Sequence, residues 1–217
     1  MNPLSSARLY TFVDTAYLHG RDAGEVARQL CAGGSDLIQL RAKSAPLDEV
    51  RRLAEAVLPI CERAGVGFVL NDHPKLALQL GAPVCHLGQE DFFDAGYRTA
   101  AQVTGCPPQM QLGLSTHAPD QAQRALRAAP DYLAIGPVFP TGTKPGRPAV
   151  TLDYVRWAAA NVTLPWFAIG GINLDTLDSV LAAGARRICV VSAILNAPDI
   201  AAACRGFRTR LEQHALR

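Results

Sequence analysis

The sequence predicts an α/β fold, a single (β/α)8 TIM barrel that spans residues 1–217 as one domain. Eight short apolar runs alternate with eight segments of helical periodicity, which is the pattern of strands that pair in parallel. The length of 217 residues falls within the roughly 200–250 that such a barrel needs. Polar clusters follow nearly every apolar run, as expected where the carboxyl ends of the strands meet on one rim.

The predicted strands are short, rich in β-branched and apolar residues, and bounded by glycine, proline or polar residues. They cover Leu9–Val13, Leu37–Arg41, Gly67–Asn71, Val84–Leu87, Met110–Ser115, Tyr132–Gly136, Pro165–Ile169 and Arg187–Val191. Because a helical segment separates each strand from the next, we expect neighbouring strands to be parallel.

The segments between the strands carry apolar residues at three- and four-residue spacing, which indicates helices with one buried face. Val50, Leu53 and Val57 show this spacing in the longest of them. The predicted helices are Ala23–Ala32, Leu47–Ala64, Pro74–Leu80, Ala95–Val103, Pro119–Ala129, Leu152–Ala160, Asp175–Ala183 and Asp199–His214. Gly65 and Gly81 stand where C-terminal caps are expected.

Composition excludes several classes of partner. A net charge of +2 is too small to indicate a nucleic acid or a membrane surface. No apolar stretch is long enough to span a bilayer, and the N-terminal residues lack a signal-peptide pattern. Six cysteines without a CxxC pair predict free thiols in a reducing compartment. We therefore expect a cytoplasmic protein. The sequence does not determine its oligomeric state and is compatible with a homo-oligomer.

Three polar residues, Gln39, Arg41 and Lys43, lie at the end of the second strand and just beyond it. Side chains alternate along a strand, so Gln39 and Arg41 share the face opposite Ile38 and Leu40 and point into the barrel. The Arg41 guanidinium suits phosphate oxygens, and Lys43 adds a point charge. The alternative is a salt-bridge network at the strand end.

Two carboxylates, Asp72 and Asp91, follow the third and fourth strands, which are neighbours in a barrel. Two carboxylates together with substrate phosphates and waters are a common ligand set for Mg2+. No set of histidines and cysteines with zinc spacing accompanies them. The alternative is that each aspartate only caps the helix after it.

The fifth and sixth loops carry hydroxyl groups and cations that can bind anions. Ser115 and His117 follow the fifth strand, although a helix-capping role for the serine is equally compatible with the sequence. The sixth loop is the longest, and Thr141, Thr143 and Lys144 can bind oxyanions there. The alternative for that loop is an ordinary turn-rich surface segment.

The seventh and eighth strands end in small residues, Gly170-Gly171 and Val191-Ser192. This position matches the recurrent phosphate site of TIM barrels, where backbone N–H groups hold the anion. The rim thus offers one site that suits a pyrophosphate and an opposite site that suits a monophosphate. The sequence predicts two phosphorylated small-molecule substrates, one of which loses pyrophosphate.

Taken together, these motifs resemble those of the thiamine-phosphate synthase family, in the family's order and from the first strand to the last. They are Gln39-Leu40-Arg41-Ala42-Lys43, Asn71-Asp72, His86-Leu87-Gly88-Gln89-Glu90-Asp91, Gly113-Leu114-Ser115, Gly136 to Lys144 and Ile169-Gly170-Gly171-Ile172. The resemblance implies a Mg2+-dependent transferase that joins 4-amino-5-hydroxymethyl-2-methylpyrimidine diphosphate to a thiazole phosphate. The products are thiamine phosphate and pyrophosphate, with CO2 also released from a carboxylated thiazole.

The resemblance also implies a role for each matched residue. Arg41, Lys43, Lys144 and Ser115 are the catalytic candidates. The pyrimidine diphosphate site comprises Gln39, Leu40, Arg41, Ala42, Lys43, Asn71, Ser115 and Lys144. The thiazole phosphate site comprises Thr141, Gly142, Thr143, Gly171, Val191 and Ser192, and the Mg2+ ligands are Asp72 and Asp91.

The chain departs from the family pattern at two places. His73 stands where the family commonly has arginine, and the segment Pro145-Gly146-Arg147-Pro148 is shorter than usual. Two other functions are weighed against the synthase. A thiazole tautomerase of the same superfamily would use His117 as its acid or base, and a non-catalytic regulator would bind thiazole or thiamine phosphate. Neither requires the Asp72, Asp91 and Lys144 set that this chain keeps.

Overall fold

Eight parallel strands form the centre of the computed structural model, which describes residues 3–141 and 150–215. The strands are β1 (Leu9–Asp14), β2 (Leu37–Arg41), β3 (Gly67–Asn71), β4 (Val84–Gly88), β5 (Gln111–Thr116), β6 (Tyr132–Ile135), β7 (Trp166–Ile169) and β8 (Ile188–Cys189). They pair in chain order, and β8 pairs with both β7 and β1, so the sheet closes. The predicted (β/α)8 barrel is confirmed.

Helices connect the strands and cover the outside of the barrel. They are α1 (Pro3–Ser6), α2 (Ala23–Ala32), α3 (Leu47–Ala64), α4 (Pro74–Leu80), α5 (Gln89–Asp94), α6 (Ala101–Thr104), α7 (Pro119–Arg127), α8 (Thr151–Asn161), α9 (Leu174–Ala182), α10 (Ser192–Leu195) and α11 (Ile200–Ala215). Within the described ranges, none of these helices combines the length and the apolar character that crossing a membrane requires.

The prediction of one helix over 95–103 was wrong. Two short helices, α5 and α6, occupy this connection, and the first begins directly after β4. Phe92 and Phe93 are buried, so the apolar face lies earlier in the sequence than the predicted helix. Gly96 then adopts a φ of 86°, which ends the first helix and turns the chain.

The eighth strand is shorter than the predicted span of 187–191. Only Ile188 and Cys189 pair as a strand, because α10 starts at Ser192 and the chain has already turned at Val191. The turn brings Val191 and Ser192 to the carboxyl rim of the barrel, where the sequence places a phosphate site.

The barrel interior is filled below its carboxyl rim. Tyr10 stacks on Phe12 and meets Phe167 edge-on, with ring centroids 5.3 Å apart in both pairs. Ile38 and Leu40 are buried on the outer face of β2. The register pairs Phe12 with Gln39 and Asp14 with Arg41, so polar side chains gather above an aromatic base.

A glycine in β5 makes room for a second buried tyrosine of the barrel interior, Tyr132. Gly113 lies opposite Tyr132 of β6, and a Cβ atom at Gly113 would lie 2.0 Å from Tyr132 Cζ. No side chain fits at that separation, so any larger residue must displace the tyrosine ring or the strand.

We therefore expect Gly113→Ala to destabilise the barrel by about 1–3 kcal/mol, the usual range for overpacking a core. Gly206→Ala is the matched control: Gly206 lies in α11, and its added Cβ would meet only Leu174, with Cδ1 the nearer atom at 3.4 Å. That change should stabilise the protein by up to about 1 kcal/mol, because alanine favours a helix interior. Urea unfolding of both variants would contradict this account if their shifts had the same sign.

Candidate active site

An open pocket lies at the carboxyl rim, and all eight strands contribute to its lining. It holds about 970 Å3 of space, counted to its open mouth. The strand residues are Tyr10, Phe12, Gln39, Arg41, Asn71, His86, Gly88, Ser115, Ala134, Ile169 and Cys189. Residues just beyond the strands complete the lining: Lys43, Asp72, Asp91, His117, Gly136, Pro137, Thr141, Gly170, Gly171, Ile172, Val191 and Ser192.

The structure thus brings together most of the residues that the sequence singled out. Those in the pocket are Gln39, Arg41, Lys43, Asn71, Asp72, Asp91, Ser115, Thr141, Gly171, Val191 and Ser192. Leu40 and Ala42 are buried in the hydrophobic core instead, and their side chains do not line the pocket. Gly142, Thr143 and Lys144 lie outside the described residues, as does the segment 145–148.

Arg41 is held by a carboxylate that the sequence analysis did not identify. Its Nη1 donates to Asp14 Oδ2 at 2.8 Å, and the two side chains are only 13% and 1% exposed. Asp14 Oδ1 also accepts from the backbone N–H of Ala16 at 3.0 Å. The salt bridge at the strand end, which was the alternative, is therefore present. Arg41 also lines the pocket, and its bond to Asp14 fixes the orientation of the other guanidinium N–H groups.

The capping alternative for Asp72 and Asp91 was wrong. His73 and Gly88 occupy the N-cap positions of α4 and α5, and neither of these residues makes a side-chain cap. The backbone N–H of Asp72 donates instead to the carbonyl oxygen of His86 at 2.9 Å, and its φ of 65° turns the chain at the rim. Ser115 likewise caps no helix, since Ala118 holds the N-cap of α7.

Asp72 and Asp91 are the aspartates of the pocket that are available to hold a cation. The Asp91 carboxylate lies close to the end of β4: a Cβ atom added to Gly88 would be 2.6 Å from Asp91 Oδ2. Asp72 lines the same pocket. Within the described residues, no group of three or more histidine, cysteine, aspartate or glutamate side chains gathers as a metal cage. Two carboxylates are nevertheless enough for Mg2+ when phosphates and waters supply the other ligands.

Four buried polar side chains form a hydrogen-bonded chain, and three of them, all but Tyr132, line the pocket. Gln39 Nε2 donates to Tyr10 Oη at 2.6 Å, the hydroxyls of Tyr10 and Tyr132 lie 3.0 Å apart, and Tyr132 Oη lies 2.9 Å from His86 Nδ1. Burial raises the pKa of both tyrosines well above the usual value, so each phenol keeps its proton.

The opposite side of the pocket is built on close backbone approach. Gly170 has a φ of 103°, and a Cβ there would lie 2.4 Å from Pro137 Cβ. A Cβ at Gly171 would lie 2.7 Å from Phe139 Cβ. The two glycines therefore let the start of the sixth loop pack directly on the turn after β7, which brings Thr141 and Gly171 into one pocket wall.

Sequence reasoning missed Tyr10, Asp14 and Tyr132, all of which lie within strands. The signal that could have found Tyr10 and Asp14 is the same alternation that placed Gln39 and Arg41 inside. Tyr10, Phe12 and Asp14 share one face of β1, and the register sets that face beside Gln39 and Arg41.

Because Asp14 anchors Arg41, we expect Asp14→Asn to lower the free energy of unfolding by about 1–3 kcal/mol, since a buried guanidinium loses its countercharge. The Asn side chain can still accept from Ala16. Glu49→Gln is the control, because the Glu49–Arg52 pair is 38% and 68% exposed and should contribute nothing measurable. Denaturant unfolding that showed equal effects for the two variants would refute the anchoring role.

Comparison with known proteins bears on the use of this pocket. Residues 9–194 match the family model described as thiamine monophosphate synthase. The chain is 52% identical over 182 residues to a thiamine-phosphate synthase of Thermus thermophilus, covering 83% of this chain and 84% of the relative. It is 44% identical over 210 residues to that of Acidothermus cellulolyticus, covering 96% of each chain.

A solved structure agrees with these sequence relatives. The thiamine phosphate pyrophosphorylase from Pyrococcus furiosus superposes with a TM-score of 0.80 at 27% identity, covering 98% of both chains. The match extends over the whole barrel and so includes every strand that lines the pocket. The chain belongs to the thiamine-phosphate synthase family.

Proposed function

We propose that this chain joins 4-amino-5-hydroxymethyl-2-methylpyrimidine diphosphate to a thiazole phosphate and releases thiamine phosphate and pyrophosphate. With a carboxylated thiazole, CO2 is released as well. One observation carries the proposal: the same pocket sets the Arg41, Lys43, Asp72 and Asp91 side opposite the glycine-rich turn at Gly171. Membership in the family supports this reaction.

The β2–β5 side of the pocket is assigned to the pyrimidine diphosphate. Arg41 and Lys43 bind the diphosphate, and Gln39 and Asn71 bind the heterocycle end. Asp72 and Asp91 would hold Mg2+, whose charge would help to neutralise the diphosphate. Leu40 and Ala42 contribute backbone, because their side chains are buried in the core. Lys144 is assigned to the same substrate from the sequence alone.

The β6–β8 side is assigned to the thiazole phosphate. Thr141, Gly171, Val191 and Ser192 supply hydroxyl and backbone N–H groups, which bind a phosphate without adding positive charge. The sequence motif adds Gly142 and Thr143. This division leaves the cationic groups on the side where negative charge increases during the reaction.

The reaction needs charge stabilisation rather than a covalent nucleophile. The bond between the pyrimidine methylene carbon and the diphosphate oxygen breaks first, and the thiazole nitrogen then forms a bond to that carbon. Arg41 and Lys43 stabilise the departing pyrophosphate, and the buried Ser115 hydroxyl can donate to it. Bound Mg2+ would neutralise charge on the diphosphate oxygens.

The site favours this reaction over the tautomerase and the regulator. His117, the acid or base of the tautomerase alternative, lines the pocket with its Nδ1 against the carbonyl oxygen of Gly136, so the carboxylates and not this histidine distinguish the reactions. Asp72 and Asp91 line the pocket although neither alternative needs them. We also place the reaction in the cytoplasm, because all six cysteines are free thiols, the form that a reducing compartment maintains.

We expect the purified protein to form thiamine phosphate and pyrophosphate in equal amounts from the two substrates, and only when Mg2+ is present. Both products should be quantified in the same reaction, with chelator as the control. Absence of product, with thiazole phosphate still bound, would overturn the synthase assignment in favour of the tautomerase or the regulator.

For the metal, we expect Asp91→Asn to lower kcat/KM by roughly 100-fold at limiting Mg2+ and to recover in part at higher Mg2+, because one anionic ligand is lost. Asp94→Asn, at the far end of the same short helix and outside the pocket, is the control and should behave as wild type. A Mg2+ titration in which the two variants had the same midpoint would remove Asp91 from the metal site.

A further inference from the structure

The buried chain from Gln39 to His86 has a direction, which follows from what each group can donate. An amide nitrogen only donates, so Tyr10 Oη accepts from Gln39 Nε2. Among the described residues, the other hydrogen-bond partner of Tyr10 Oη is Tyr132 Oη at 3.0 Å, so Tyr10 donates onward. Tyr132 then donates to His86 Nδ1 at 2.9 Å.

This direction decides which end of the Gln39 amide faces the pocket. In the described part of the chain, the Gln39 side chain makes one hydrogen bond, from Nε2 to Tyr10, and Gln39 lines the pocket. Its Oε1 is therefore available to a ligand as an acceptor. The opposite direction, with His86 Nδ1 and both tyrosines donating toward Gln39, would require the amide to turn and present Nε2 instead.

We propose that Tyr10 and Tyr132 are positioning residues that hold the Gln39 amide with Oε1 toward the ligand, so that the pocket selects a heterocycle carrying a hydrogen-bond donor such as an exocyclic amine. The inference rests on the proposed function, which assigns the heterocycle to the Gln39 side of the pocket. An oxo group at the same position of the ring would place acceptor against acceptor.

Burial makes this selection strong. Gln39 is 3% exposed, Tyr10 is 1% exposed and Tyr132 is fully buried, so water cannot replace a missing partner at low cost. A buried site that is built to bond one polar group discriminates strongly against an analogue that lacks it. Neither tyrosine needs to touch the ligand for this effect, because each acts through the orientation of Gln39.

Tyr132→Phe is the sharpest test, because it removes the acceptor for the Tyr10 proton while the ring stays. Tyr10 then regains a partner only if the Gln39 amide turns and offers Oε1, which leaves Nε2 facing the pocket. We therefore expect this variant to lose preference for an amine and to gain affinity for an oxo group. Tyr10→Phe releases the amide altogether and should reduce the preference without reversing it.

The probes are the 4-amino and 4-oxo pyrimidines carrying an unreactive methylene diphosphonate, titrated by calorimetry with Mg2+ and without thiazole phosphate. We expect wild type to bind the amino probe more tightly than the oxo probe. The Kd of the oxo probe divided by that of the amino probe should fall at least about tenfold in Tyr132→Phe. Tyr154→Phe is the control. It removes a buried hydroxyl bonded to Thr116 at 2.7 Å, outside the pocket, and should keep the wild-type ratio.

A folded Tyr132→Phe that keeps the wild-type ratio overturns the proposal, and so does equal weakening of both probes, which is what a purely structural role produces. If Tyr132→Phe does not fold, Tyr10→Phe decides: a reduced ratio supports the proposal and an unchanged ratio overturns it. Turnover by the wild-type protein distinguishes failure of the proposed function from failure of this inference. Failure to form thiamine phosphate contradicts the proposed function, whereas normal turnover with an unchanged ratio contradicts only this inference.

Discussion

Closure of the barrel between β8 and β1 is the constraint on which the pocket depends. The contact is short: Leu9 pairs with Ile188, and Tyr10 pairs with Cys189. Backbone hydrogen bonds form it, since the N–H groups of Ile188 and Val190 donate to the carbonyl oxygens of Arg8 and Tyr10, both at 2.9 Å. Without closure, the ends of β1 and β8 would be sheet edges, and Tyr10 would not lie over the same cavity as Val191 and Ser192.

A closed interior imposes a second condition, because polar side chains that point inward must find partners inside. Arg41 and Asp14 meet this condition as an ion pair, and Gln39, Tyr10 and Tyr132 meet it in series with His86. Unpaired groups at these depths would each cost a full desolvation penalty. The pairing that stabilises the barrel therefore also fixes the orientation of the groups that face a ligand.

Much of the fold could be predicted because the strands are apolar and evenly separated by helical segments. The alternation along β2 also placed Gln39 and Arg41 inside correctly. The prediction of a helix over 95–103 was wrong because the buried apolar residues of this connection, Phe92 and Phe93, lie before that range and belong to α5. The alternation along β1 could have placed Tyr10 inside, but its contact with Tyr132 of β6 depends on ring closure and register, which no local pattern in the sequence encodes.

The two walls of the pocket are built by different physical means, and this difference suits their proposed ligands. The wall with Arg41 relies on charge, so its groups must be held apart and oriented by partners such as Asp14. The wall with Gly171 relies on backbone, so the chain must come close, and the N–H groups of Val138 and Phe139 bond to the carbonyl oxygens of Ile169 and Gly170 at 2.8 and 3.0 Å. A diphosphate that leaves requires the first wall, whereas a monophosphate that only has to be held in place requires no more than the second.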